Sequence, residues 1–209
     1  MRINLLFLWY NSINKEEVFM KKTILTENDY NTFYKAVLYG KIEDPLFTAI
    51  PVAYRDLCRT IRGFAKHQNH DEIFRNCEEV IYGEVSTLLK MKTINQEKFD
   101  KWHESACKRL ICFSEDILSY GQAQKWINMT LKYLSMFDHK VTEETYEYYH
   151  VPIDNYILNA TNYKFDTAWS KINSYEKYLE FQKWFREKYK GIPLDVEFNM
   201  WLNEGKGFN

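Results

Sequence analysis

The 209-residue chain has little glycine and little proline, seven and four residues respectively. That scarcity argues against a turn-rich β-sandwich, which needs a turn residue every few positions. Cysteine is also sparse. Cys58, Cys77, Cys107 and Cys112 are too few for a disulfide scaffold in a chain of this size. They fall on the apolar faces of predicted helices and read as small buried hydrophobes of a reducing compartment. Net charge is nearly absent, at −1, so overall charge attracts no polyanion and an anionic partner must be held by a local patch. Long apolar runs are missing too. The opening MRINLLFLWY is too short to span a membrane and carries no small-residue cleavage site. A cytoplasmic protein with no membrane partner is expected.

Aromatic residues are abundant, with 16 Tyr, 14 Phe and 6 Trp making 17% of the chain, and they readily supply a core. No segment sustains the alternation of a strand, no repeat is evident and no linker divides the chain. The expected fold is all-α, a multi-helix single domain over 1–209 with two packed helical lobes. The first 24 residues are ambiguous between a short strand and helix. Thr26 and Asp29 resemble a capping box, and Tyr30, Phe33, Tyr34, Val37 and Leu38 follow at helical spacing up to Gly40. KIEDPLFTAIP reads as a connection, and Pro51 as the start of an amphipathic helix with Leu57, Cys58, Ile61, Phe64 and Ala65 inward. Arg55, Arg59, Arg62 and Lys66 then form one basic stripe on its outer face. Helices are further predicted over 71–89, 96–113 and about 174–190, with a short one over 194–202.

The most informative stretches are SYGQAQKWINMTLKYL, from Ser119, and HVPIDNYIL, from His150. Gly121 reads as a tight turn opening into an amphipathic helix faced by Trp126, Met129, Thr130, Tyr133 and Leu134, with Lys125 near its start. Pro152 reads as the first residue of a second helix, placing Asp154 in a first turn where the macrodipole favours a carboxylate. Singly, such a lysine is a solvated charge and such an aspartate a cap. Together they form a candidate acid/base or Schiff-base pair.

Gly121, Ala123 and Lys125, followed by Val151, Pro152, Ile153 and Asp154, resemble the helix-hairpin-helix DNA glycosylase superfamily. There a hairpin of pattern G-x-G-x-K leads into a helix and a V-P-V-D type segment follows. The 29-residue interval from Lys125 to Asp154 is longer than in the common members of that superfamily, and the archaeal 8-oxoguanine glycosylase branch also has a longer one. The resemblance implies a helix-hairpin-helix-like element around residues 116–134 and excision of a damaged or modified base from DNA, as in DNA repair. Lys125 would be the nucleophile and Asp154 would assist its deprotonation. A free lysine, with a pKa of about 10.4, is almost wholly protonated at neutral pH and must be freed of its proton to attack. The extruded base would enter an aromatic pocket, with Trp126 the candidate beside the lysine. The candidate phosphate contacts are the basic stripe and the turn formed by Gly121, Gln122 and Ala123. His103 and Cys107 lie one helical turn apart, but no full ligand set accompanies them, so neither metal nor cofactor is expected. The rival reading is a non-catalytic helical module that binds protein or nucleic acid through its aromatic and basic surface.

Overall fold

The computed structural model describes residues 26–205, and the chain divides into two compact units, Met1–Lys41 and Ile42–Asn209. The readings of the first 24 residues and of the GKGFN tail fall on or extend into residues outside those described. Among the described residues the fold is all-α, with nine α-helices, four short 3-10 turns and no strand. The first unit contributes α1 (Glu27–Tyr39), which opens on the expected Thr26–Asp29 capping box and stops at Gly40, where φ is +74°. Its Phe33, Tyr34, Val37 and Leu38 remain largely exposed.

In the second unit α2 spans Pro45–Leu57, six residues earlier than Pro51 suggests. Asp44 caps it by accepting from Phe47 N at 3.0 Å, and Pro45 occupies the first turn, where its missing N–H is no loss. Pro51 therefore lies inside the helix. The helix stops at Leu57, whose carbonyl accepts from the Thr60 hydroxyl at 2.7 Å. Cys58–Thr60 and Phe64–Lys66 are separate 3-10 turns with Gly63 between them at φ +81°. This reversal breaks the predicted single stripe of Arg55, Arg59, Arg62 and Lys66, and it leaves Ala65 exposed.

Helices α3 (His70–Leu89) and α4 (Gln96–Phe113) fall where expected, burying Ile73, Cys77, Ile81, Val85 and Leu88, and Phe99, Trp102, Ala106 and Leu110. Of the cysteines only Cys77 and Cys107 are buried. Cys58 is half-buried and Cys112 is exposed.

The reversal before α5 (Tyr120–Phe137) is made by Glu115 and Asp116, at φ +55° and +59°, not by Gly121. Ser114 closes it, donating to Ile111 O and accepting from Leu118 N. Helix α5 then starts on a Ser119–Gln122 capping box, with Gly121 already helical. It is buried on every side from Gly121 to Lys132 rather than along one stripe, which makes it the central helix of the unit. A one-turn α6 (His139–Thr142) and a 3-10 turn (Tyr146–Tyr148) lead to an extended run through Ile153. Helix α7 (Asn155–Thr161) begins after Asp154, which is its cap, so Pro152 is extended and buried rather than helical. A 3-10 turn (Trp169–Lys171), α8 (Tyr175–Lys188) and α9 (Pro193–Gly205) complete the unit. No helix among the described residues is long and apolar enough to cross a membrane.

Candidate functional site

A helix buried on all sides must satisfy its polar side chains internally, because an unpaired buried polar group costs about 1–3 kcal/mol. Helix α5 buries Gln122, Gln124, Lys125, Asn128, Thr130, Lys132 and Ser135. Thr130 and Ser135 return their hydroxyl protons to carbonyls one turn back, and Lys132 pairs with Glu197 of α9 at 2.5 Å. Among the described residues the Tyr120 hydroxyl is the one buried side-chain polar atom without a hydrogen-bond partner.

Lys125 lies in the second turn of α5 and is 4% exposed. Its Nζ donates to Asp154 Oδ2 at 2.6 Å. The other carboxylate oxygen, Oδ1, accepts from Ile157 N at 2.9 Å as the cap of α7. About 30% of the Asp154 side chain is exposed, so the aspartate is the solvent side of the pair.

Two glutamines hold the strand-like run that carries Asp154. Gln182 of α8 accepts from Val151 N at 3.0 Å and donates to Val151 O at 2.8 Å. Gln124 of α5 accepts from Ile153 N at 3.3 Å and donates to Ile153 O at 3.1 Å. Each side-chain amide thus does what a neighbouring strand would do, satisfying one N–H and one C=O.

Gln124 is itself fixed by Asn128, whose Nδ2 donates to its Oε1 at 3.0 Å and also to the Tyr178 hydroxyl at 2.9 Å. From this the proton positions follow one by one. Asn128 Oδ1 accepts from His103 Nε2 at 2.9 Å. The Tyr178 hydroxyl donates to His150 Nδ1 at 2.8 Å. His150 Nε2 then donates to Asp100 Oδ1 at 2.9 Å, an oxygen that also accepts from Gln96 at 2.7 Å.

Burial holds His103 well below the usual imidazole range, helped by neighbouring His150 and opposed by the Asn128 bond. Burial also lowers His150, with Arg186 adding to the effect and Asp100 opposing it. Burial raises Asp100, but its bonds from His150 and Gln96 outweigh that, leaving its pKa lowered.

A pH dependence follows. Both imidazoles are depressed in the folded state, so their contribution is fully present above the unfolded histidine pKa of about 6.5 and is lost as pH falls below it. Unfolding free energies from urea titrations are expected to drop from about pH 6.5 downward, by up to about 1.4 kcal/mol per pH unit for each proton taken up. The double variant His103→Gln, His150→Gln should be weaker at neutral pH and flat over that window.

Several sequence expectations are relocated by this geometry. Trp126 is wholly buried, its indole donating to Ile50 O at 3.0 Å and its ring lying 4.9 Å from Tyr54 and 5.6 Å from Phe74. It is a core residue with no face open to a base. The backbone amides of the supposed phosphate turn are occupied. Gly121 N donates to Ile172 O at 2.8 Å, and Gln122 N and Ala123 N both bond Ser119.

Gly121 serves a close approach instead, since a Cβ there would sit 1.8 Å from the carbonyl oxygen of Trp169. Arg59 and Arg62 line one groove with Gln122 and Lys171, whereas Arg55 and Lys66 are not among its lining residues.

Gln124, Asn128, His150, Tyr178, Gln182 and Lys171 escaped the sequence reading. One signal was available: Gln124 and Asn128 are polar residues one turn apart in an apolar helix, and Gln182 interrupts the aromatic stripe of Tyr178, Phe181 and Phe185. Among the described residues no group of three or more His, Cys, Asp or Glu side chains is arranged to hold a metal ion. No protein-family model, curated protein or solved structure matches the chain.

Proposed function

We propose that the protein is a base-excising DNA glycosylase in which Lys125 attacks the deoxyribose and Asp154 manages its proton. The observation that carries this reading is the 2.6 Å contact between Lys125 Nζ and Asp154 Oδ2, made by residues 29 apart in the chain. An ammonium has no lone pair, and a carboxylate at hydrogen-bond distance is placed to take the proton that attack requires.

The bond from Nζ to C1′ forms as the glycosidic bond breaks. The base leaves with that electron pair and takes up the proton that Asp154 removed from the amine. Breaking of the C1′–O4′ bond, with one Nζ proton passing to O4′, then opens the ring and gives a protonated imine. Substrate approaches from the exposed Asp154 side, and the fixed backbone of Val151 to Ile153 keeps the carboxylate in place.

The burial of Lys125 supports a second reading, a helical nucleic-acid-binding module in which the pair only locks α7 to α5. Incubation with duplexes carrying a panel of oxidised, deaminated and methylated bases separates the two. Release of one base class by the wild type, abolished in Lys125→Met, is the expected result. No release across the panel, with DNA still bound, would favour the module.

A further inference from the structure

A groove of about 540 Å³ runs beside the first turn of α5, within the range of sites that hold small ligands. One wall is the 59–62 turn and the other is the 168–171 turn, and the cations Arg59, Arg62 and Lys171 line it with no carboxylate among them. That is unusual in a chain whose 28 basic residues are matched by 29 acidic ones. Six other cations of the unit, Lys101, Lys108, Arg109, Lys125, Lys132 and Lys177, make ion pairs. Arg59, Arg62 and Lys171 have no ion pair or side-chain hydrogen bond with any described residue.

Both walls are tied to α5. Gln122 Nε2 donates to Thr60 O at 2.9 Å and to its hydroxyl at 3.2 Å. On the other side Ser119 Oγ donates to Ser170 O at 2.7 Å, and Gly121 N donates to Ile172 O at 2.8 Å. The Gly121, Gln122 and Ala123 amides are taken up by Ile172 and Ser119, so the charge lining the groove is that of the three side chains. Gln122 and Lys125 are three residues apart and share a side of α5. Their Cα atoms are about 4.5 Å apart along the helix axis, so the groove that Gln122 lines is one turn from the backbone position of Lys125.

We infer that this groove holds the DNA phosphodiester backbone beside the nucleotide whose sugar meets Lys125, with Lys171 as a phosphate ligand from the wall opposite Arg59 and Arg62. The inference rests on the base-excision reading and assigns that site its backbone contact. Three phosphate contacts give a salt slope of about −2.7, a roughly 40-fold loss of affinity between 50 and 200 mM salt.

The test is fluorescence anisotropy of the full chain with a duplex carrying a tetrahydrofuran abasic-site analogue, over that salt range. Lys171→Glu and Arg59→Glu are each expected to weaken binding roughly tenfold or more at low salt, and Lys171→Gln to flatten the slope by about one unit. The distant Lys101→Gln should bind as the wild type does. All of these variants are checked for fold by thermal melts.

Unchanged binding by the groove variants, equal loss in Lys101→Gln, or no salt-dependent binding by the wild type would each overturn the inference. Tighter, groove-dependent binding to RNA of the same sequence would overturn the assignment to DNA. Groove-dependent DNA binding without base release would leave the groove standing and refute only the base-excision reading.

Discussion

Asp154→Ala is expected to destabilise the protein by about 3–5 kcal/mol, because it leaves the Lys125 ammonium buried without its partner. About 1 kcal/mol of that belongs to the lost α7 cap, since Asp154 Oδ1 also receives Ile157 N. Asp154→Asn separates the two contributions. It keeps a cap acceptor and the side-chain shape while removing the charge.

The reverse change is milder. Lys125→Met fills the same volume with an apolar chain and leaves behind a carboxylate that is 30% exposed and can be hydrated. In thermal melts of a chain this size each kcal/mol shifts the midpoint by about 2–4 °C. Asp154→Ala should therefore melt roughly 6–20 °C below the wild type and Lys125→Met only a few degrees below it. Equal losses in the two variants would contradict the burial asymmetry. The asymmetry also makes Lys125→Met the useful probe of chemistry, since it removes the proposed nucleophile from a folded protein.

Gly121→Ala is the second large effect, and its sign opposes helix propensity. Alanine in a helix interior is worth about 1 kcal/mol over glycine. At Gly121, however, the new Cβ would meet Trp169 O at 1.8 Å and Trp169 C at 2.9 Å, both backbone atoms that cannot rotate away. The 168–172 segment must move off α5, which strains the Ser119–Ser170 and Gly121–Ile172 hydrogen bonds. A net loss of about 2–3 kcal/mol is expected, a fall of roughly 5–10 °C in the melting midpoint. Because that segment carries Lys171, the proposed DNA binding should weaken with it. Gly83→Ala supplies the contrast. It also sits in a helix, α3, but nothing lies within 4 Å of its would-be Cβ, so alanine there should stabilise by up to about 1 kcal/mol. A neutral Gly121→Ala would mean that α5 and the 168–172 turn are not in contact in solution.

How much of this was legible in the sequence differs by element. Helices α3, α4 and α8 carry apolar residues at helical spacing and fall where that spacing puts them. The start of α2 was missed because Pro51 and Pro45 both look like first-turn prolines, and only the Asp44 cap distinguishes them. The basic stripe assumed that a helix continues past Leu57, but Thr60 and Gly63 end it through local bonding and a left-handed backbone that periodicity does not register. Gly121 was noticed for the wrong reason. Its value is the absent side chain, and the partner that needs the room is 48 residues away, at Trp169.

The pairing of Lys125 with Asp154 was anticipated from an ordered motif. The means of holding it was not, because the glutamine clamps and the Asn128–Tyr178–His150–Asp100 chain join four distant segments. A polar residue in an apolar helix announces that it has a partner without saying which one.

On the proposed reading the Lys125 amine forms a covalent bond with the deoxyribose of an excised nucleotide. Borohydride trapping on lesion-containing and abasic duplexes, followed by mass spectrometry of the adducted peptide, tests it most directly. One adduct is expected in the wild type, mapped to Lys125, absent from a folded Lys125→Met and strongly reduced in Asp154→Asn. An adduct on any other lysine, or one that persists in Lys125→Met, would contradict it, as would no adduct on any duplex that the protein binds.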